Sequence, residues 1–125
     1  MFRPKTFLSN RIKSFSYAFN GIKLIIKTQP NFIVHVCILT IVILTGIYFN
    51  ITIQEWTNII TVSSLVLFAE ITNTAIEKLC DYVSPEFDEY IGIIKDIAAA
   101  GVLITAITAA AIGIMIFFPK FYAIF

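Results

Sequence analysis

The sequence is short of charge, of histidine and of phosphate-cradling glycine loops, and each shortage closes off a class of function. Charged residues occupy 14% of the 125 positions against 58% for hydrophobic ones, and the mean hydropathy is +0.89, outside the usual range of a soluble domain of this size. A formal net charge of +1 excludes a general electrostatic grip on nucleic acid, so no nucleic-acid partner is expected. No Walker-type loop and no soluble-kinase catalytic loop occurs, and one histidine among apolar neighbours cannot build a Ser-His-Asp arrangement. Any nucleotide chemistry must therefore proceed without a soluble nucleotide-binding fold. The two cysteines, Cys37 and Cys80, are far apart, lie in apolar stretches and fit no metal or redox spacing; they read as packing residues.

What the chain does have is long apolar runs. Residues 32–49, 56–80 and 96–118 read as transmembrane helices at or near the length of about 20 residues that a bilayer requires, the first falling short and the second interrupted by Glu70 and Asn73. The fold class is all-α integral membrane, a single domain over residues 1–125. Residues 7–28 read as an amphipathic helix lying in the membrane interface, because Phe15, Phe19, Ile22 and Ile26 recur three and four apart while Arg11, Lys13, Asn20, Lys23 and Lys27 interleave. Gln29-Pro30-Asn31 punctuates that helix, and Pro119-Lys120 marks the exit of the last span. Arg3, Lys5, Arg11, Lys13, Lys23 and Lys27 all precede the first span, and the connector 50–55 has no Lys or Arg. By the positive-inside rule the N-terminus is cytoplasmic. Glu77, Asp81, the loop 84–90, Lys95 and Asp96 then fall on the cytoplasmic side. The long basic region before the first span does not fit a cleavable signal peptide. Three short helices enclose little core, so an oligomer is expected, with the small residues Ala98, Gly101, Thr105 and Ala109 meeting another helix.

The polar residues inside these spans read as a site by default, since a buried carboxylate costs several kcal/mol unless water, a metal or a partner compensates. At about 100° per residue, Asn73, Thr74, Glu77 and Asp81 fall within roughly 60° of the direction of Glu70. An α-helical rise separates Glu70 from Glu77 by about 10 Å and from Asp81 by about 16 Å, too far for a shared proton and suited to different roles. Glu77 can hold a Mg²⁺ that carries a nucleotide's phosphates. Glu70, deeper, is placed to take a proton from a hydroxyl that itself sits in lipid; the structural alternative for these acids is pairing with Lys78 or Lys95. Lys95-Asp96 can neutralise phosphate charge and order metal water, or serve as a snorkelling anchor. Asn73 can donate to a phosphate, hold Glu70 or join helices. His35, among Phe32, Ile33, Val34 and Val36, reads as a packing or interface residue rather than a ligand.

The stretch Glu70-Ile71-Thr72-Asn73-Thr74-Ala75-Ile76-Glu77-Lys78-Leu79-Cys80-Asp81, with Lys95-Asp96-Ile97-Ala98-Ala99-Ala100-Gly101 after a short loop, resembles the signature of the prokaryotic diacylglycerol kinase and undecaprenol kinase family. Tyr17-Ala18-Phe19-Asn20-Gly21 and Asn31-Phe32-Ile33-Val34-His35 extend the resemblance over nearly the whole chain. It implies a homotrimer in the bacterial inner membrane, with active sites shared between subunits, that uses ATP and Mg²⁺ to phosphorylate a membrane lipid alcohol. By that analogy Glu70 is the general base, Glu77 a Mg²⁺ ligand, and Asn73, Lys95 and Asp96 contacts to ATP or its metal. Tyr17, Glu86 and Asp88 fall at further nucleotide-contact positions. Where the family places a glutamate as second metal ligand, this chain has Gln29, a neutral oxygen donor, so a weaker metal site or a water-held ion is expected. The Asn-Thr-Ala-Ile-Glu wording and the tail Gly113 to Lys120 are more similar to the undecaprenol kinase branch, with diacylglycerol as the alternative acceptor. A reading of another class is a non-enzymatic oligomer whose acids line a cation path; against it, the acids gather at one leaflet.

Overall fold

The structure, a computed structural model, describes residues 6–125. Arg3 and Lys5, counted above in the charge asymmetry, lie outside the described residues. Four helices follow one another: α1 (Phe7–Thr28), α2 (Pro30–Phe49), α3 (Ile53–Val83) and α4 (Glu89–Ile124). The chain divides after Pro30 into two compact units, the first built on α1 and the second on the other three helices.

Each helix end has a local cause. The Thr6 hydroxyl caps α1 by accepting the Ser9 N–H at 3.3 Å. Gln29 closes the helix, its own N–H reaching the Ile25 carbonyl at 2.9 Å. Pro30, which has no N–H to donate, opens α2 at its first position, where that donor would have no partner within the helix anyway. Helix α1 separates apolar from polar residues around its circumference far more sharply than the other three. Helices α2, α3 and α4 are each long and apolar enough to cross a membrane.

The turn from α2 into α3 is tightly specified. Asn50 takes a left-handed backbone with φ 51°, a conformation that asparagine tolerates better than most residues. Its N–H bonds the Ile47 carbonyl and the Ile51 N–H bonds the Gly46 carbonyl, both at 3.2 Å, which together satisfy two otherwise orphaned carbonyls. Thr52 and Glu55 then form a reciprocal capping box at 3.1 Å in each direction. Ile51 and Trp56 close over Gly46, where an added Cβ would lie 2.7 Å from the indole Cη2 and 3.1 Å from Ile51 Cδ1. Glycine is needed here for close approach, not for its backbone freedom.

The end of α4 corrects the sequence reading. Pro119 does not end the helix, which runs on to Ile124 with the proline inside it. A proline in a helix interior removes one backbone bond and costs about 3 kcal/mol, and tertiary contacts offset it. Lys120 Nζ reaches Glu55 Oε2 at 2.6 Å, and the Phe121 ring meets Phe49 edge-on with centroids 4.8 Å apart. The same end holds the cluster Ile51, Ile59, Ile116 and Phe117, backed by Val42, Phe49, Trp56 and Ile112. All three helices contribute to it. The helices also begin earlier than the apolar runs 56–80 and 96–118 suggested, because Thr52 and Asp88, both polar capping residues, set the starts of α3 and α4.

Gly46→Ala should force the Trp56 indole aside and destabilise the α2–α3 turn by about 1–3 kcal/mol, the usual cost of overpacking. A lowered thermal midpoint in detergent checks this; an unchanged one would mean that the indole has room to move.

Candidate functional site

The buried polar residues lie together on α3, toward the end remote from the Trp56 cluster. Glu70 is 4% exposed, Asn73 8% and Thr74 3%, and among the described residues no other polar or charged side chain is as deeply buried. One helical turn further on Glu77 is half-buried, and another turn on Asp81 is exposed. The face predicted from 100° spacing therefore exists, and it is graded, with its driest carboxylate farthest from the helix end.

Asn73 links the two central positions. Its Nδ2 donates to Glu77 Oε1 at 3.3 Å, while its own Oδ1 is buried without a hydrogen-bond partner, as is Thr74 Oγ1. A buried amide oxygen left unpaired costs about 1–3 kcal/mol. Such an atom beside a carboxylate is a pair of hard oxygen donors, the type that Mg²⁺ takes. Asn73 does not hold Glu70, as one reading of the sequence had it; its amide goes instead to Glu77, a partner the sequence reading did not name.

Lys95 comes to α3, but to Asp81 rather than to Glu77, with Nζ 2.5 Å from Asp81 Oδ1. That pair joins the start of α4 to the end of α3 at a partly exposed position. Asp96 is exposed. Asp88 is occupied as the α4 N-cap, its Oδ1 accepting the Ile91 N–H at 3.0 Å. Glu86 is exposed, and its backbone carbonyl accepts the Ser84 hydroxyl at 3.0 Å. Tyr17 is an exposed residue of α1. Gln29 is half-buried at the α1 C-cap, its Nε2 3.5 Å from Thr28 Oγ1. Tyr17 and Gln29 belong to the first unit and the other site residues to the second.

One residue was missed. His35 Nε2, on the second turn of α2, lies 3.6 Å from Glu70 Oε2, so the packing reading of this histidine omitted its closest charged neighbour. A signal was present: helix α2 contains no Asp, Glu, Lys or Arg, and an ionisable side chain in such a helix is a functional candidate by default. His35 also lines one end of a groove of about 610 Å³ along α2, α3 and α4. Its walls are otherwise apolar apart from Ser63, and its far end is formed by Phe117, Phe118 and Phe121.

The profile of the prokaryotic diacylglycerol kinase family matches residues 16–117, a stretch that includes every candidate site residue named above. The chain belongs to the prokaryotic diacylglycerol kinase family. It is a lipid kinase, a membrane transferase of lipid metabolism. The chain is 32% identical over 113 residues to the undecaprenol kinase of Bacillus subtilis, covering 90% of this chain and 92% of that protein. It is also 32% identical over 111 residues to the diacylglycerol kinase of a Synechocystis species, covering 88% of this chain and 63% of that protein.

A carboxylate buried among apolar helices is costly to keep, so Glu70 is expected to be retained for activity rather than stability. Glu70→Gln, of nearly the same shape and without charge, should melt at or above the parent's temperature. A clear drop in the midpoint would show instead that the charge holds the helices together.

Proposed function

We propose that this kinase transfers the γ-phosphate of ATP to the hydroxyl of a membrane lipid alcohol, with undecaprenol as the acceptor and undecaprenyl phosphate as the product. The observation that carries the reading is the graded face of α3, where the buried Glu70 stands above the Asn73–Glu77 pair in a chain of a lipid kinase family. A hydroxyl anchored in lipid approaches from the bilayer, and nucleotide phosphates approach from the aqueous end. The face meets both. Glu70 takes the hydroxyl proton as the lipid oxygen attacks the γ-phosphorus, and a general base of this kind contributes about 10²–10⁴-fold in rate.

Glu77 and Asn73 Oδ1 fit a divalent cation of the hard, oxygen-seeking type, and the family resemblance implies Gln29 as a further, neutral donor. Mg²⁺ bound there would neutralise phosphate charge as the bond to the leaving group breaks. Lys95, held by Asp81, supplies positive charge at the same end of the bundle, and Asp96, Tyr17, Glu86 and Asp88 complete the nucleotide contacts. The placement is cytoplasmic, in the bacterial inner membrane, since the Glu77 end of α3 lies on the side to which basic residues assign the N-terminus.

Undecaprenol is favoured over diacylglycerol because the chain matches nearly the full length of an undecaprenol kinase and 63% of the length of a diacylglycerol kinase at equal identity. The apolar groove that begins at His35 suits a long hydrocarbon chain. The chain works as a homotrimer, with α1 lying in the interface. Two observations support association with further copies: no large side chain among the described residues is wholly shut off from the surface, and a Cβ added at Gly101 meets nothing within 4 Å, which leaves room there for another helix.

Glu70→Gln assayed with radiolabelled ATP should lose about 10²–10⁴-fold in turnover with undecaprenol, while Mg²⁺-ATP affinity stays near the parent's. Near-parental turnover would remove Glu70 as the base, and faster reaction of the parent with diacylglycerol would reverse the choice of acceptor.

The metal assignment is tested separately. Glu77→Gln should weaken Mg²⁺-ATP binding severely, and Gln29→Glu should raise activity at low Mg²⁺ by restoring a charged ligand. Unchanged Mg²⁺ dependence in both variants would sink the assignment.

A further inference from the structure

Glu70 is buried, yet none of its oxygens takes part in a hydrogen bond with another described side chain. Asn73, one turn away, spends its amide on Glu77, and Thr74, at the position one turn on from Glu70, keeps its hydroxyl unpartnered. Among the described residues the one basic group within ion-pair distance is the imidazole of His35, 3.6 Å away across the α2–α3 contact. From α4, the groove wall beside His35 is formed by Ala106, Ala109 and Ala110, which have no titratable group. Glu77, Asp81 and Lys95 lie farther along the bundle and are engaged with Asn73 and with each other.

We propose that His35 is the positioning residue for Glu70: its Nε2–H donates to Glu70 Oε2, fixing the carboxylate while the second oxygen takes the proton of the lipid alcohol. This inference rests on Glu70 being the base. The separation of 3.6 Å is too long for a formed hydrogen bond, and catalytic hydrogen bonds are often long before substrate binds and tighten in the reacting complex. A neutral imidazole has one N–H donor and one acceptor nitrogen, so donation to Glu70 leaves Nδ1 as an acceptor at the polar end of the groove. In the step itself the lipid oxygen forms its bond to the γ-phosphorus, and the bond from that phosphorus to the bridging oxygen breaks. The electron pair leaves on ADP and the hydroxyl proton goes to Glu70. His35 loses no atoms and needs no co-reactant; it holds the acceptor of the proton in place.

The test compares the full chain in lipid nanodiscs with His35→Gln, which keeps an N–H donor at similar reach, and His35→Phe, which keeps bulk and removes the donor. His35→Phe should lower kcat with undecaprenol by about 10- to 100-fold, the range expected for a hydrogen bond to a charged group. Its KM for Mg²⁺-ATP should stay within about twofold of the parent's on the same principle, since the hydrogen bond lost is not to the nucleotide. His35→Gln should recover most of kcat. The carboxylate band of Glu70 in the infrared, assigned by its loss in Glu70→Gln, should shift in His35→Phe and return in His35→Gln, a readout that needs no turnover. Full activity and an unmoved band in His35→Phe would overturn the proposal, as would equal losses in the Phe and Gln variants. If Glu70→Gln is inactive while His35→Phe is fully active, the base survives and only the role of His35 falls. If Glu70→Gln is active, the base itself falls.

Discussion

The burial of Glu70 in the middle of an apolar helix is the constraint around which the rest of the chain is arranged. A carboxylate at 4% exposure is tolerable only where the surrounding helices are held firmly enough not to part around it, and three helices with so little enclosed core have few means of doing that. The chain concentrates those means at the other end. There the Asn50 turn, the Thr52–Glu55 capping box, the Lys120–Glu55 pair and the aromatic contacts of Phe49 lock α2, α3 and α4 together. The end that holds the site is tied more lightly, by the partly exposed Asp81–Lys95 pair. Division of this kind, with packing at one end and polar groups at the other, lets the polar end move without unfastening the bundle, as the proposed entry of a nucleotide there would require.

Gradation along α3 follows from the same constraint. Moving from Glu70 through Asn73 and Glu77 to Asp81, the side chains pass from buried to exposed, and the local environment changes from one in which a charge must be neutralised by a partner to one in which water does so. A phosphoryl transfer between an aqueous donor and a lipid acceptor has the same requirement. The anionic, hydrated phosphates need ligands near water, and the proton of the acceptor needs a base near lipid. In the proposed roles one helix face would supply both, because 3.6-residue periodicity brings the residues at 70, 73, 77 and 81 to the same side of α3.

Much of this arrangement was legible in the sequence, and the parts that were not share a cause. The polar face of α3 and the identity of the helices depend on spacing within one segment, which periodicity reports directly. The partner of His35, the pairing of Lys95 with Asp81 rather than Glu77, and the continuation of α4 through Pro119 depend on what another helix brings alongside. Pro119 reads as a terminator because the local cost of proline is all that one segment shows; Lys120 reaching Glu55 and Phe121 reaching Phe49 come from residues more than sixty positions away. Asp88 reads as a nucleotide contact in a polar loop and is also the N-cap of α4, a role that the Asp followed three residues later by an apolar stretch could have signalled.

The same reasoning about charge bears on the proposed metal site. Beside the Glu77 carboxylate the structure sets a neutral oxygen, the buried and unpaired Asn73 Oδ1, and the nearest ion pair, Lys95 with Asp81, is partly exposed. A cation held by one carboxylate and neutral amide oxygens would take most of its balancing negative charge from the phosphates it accompanies. Under that proposal, occupancy by the cation would be coupled to arrival of the nucleotide, and the site would not fill with the metal alone.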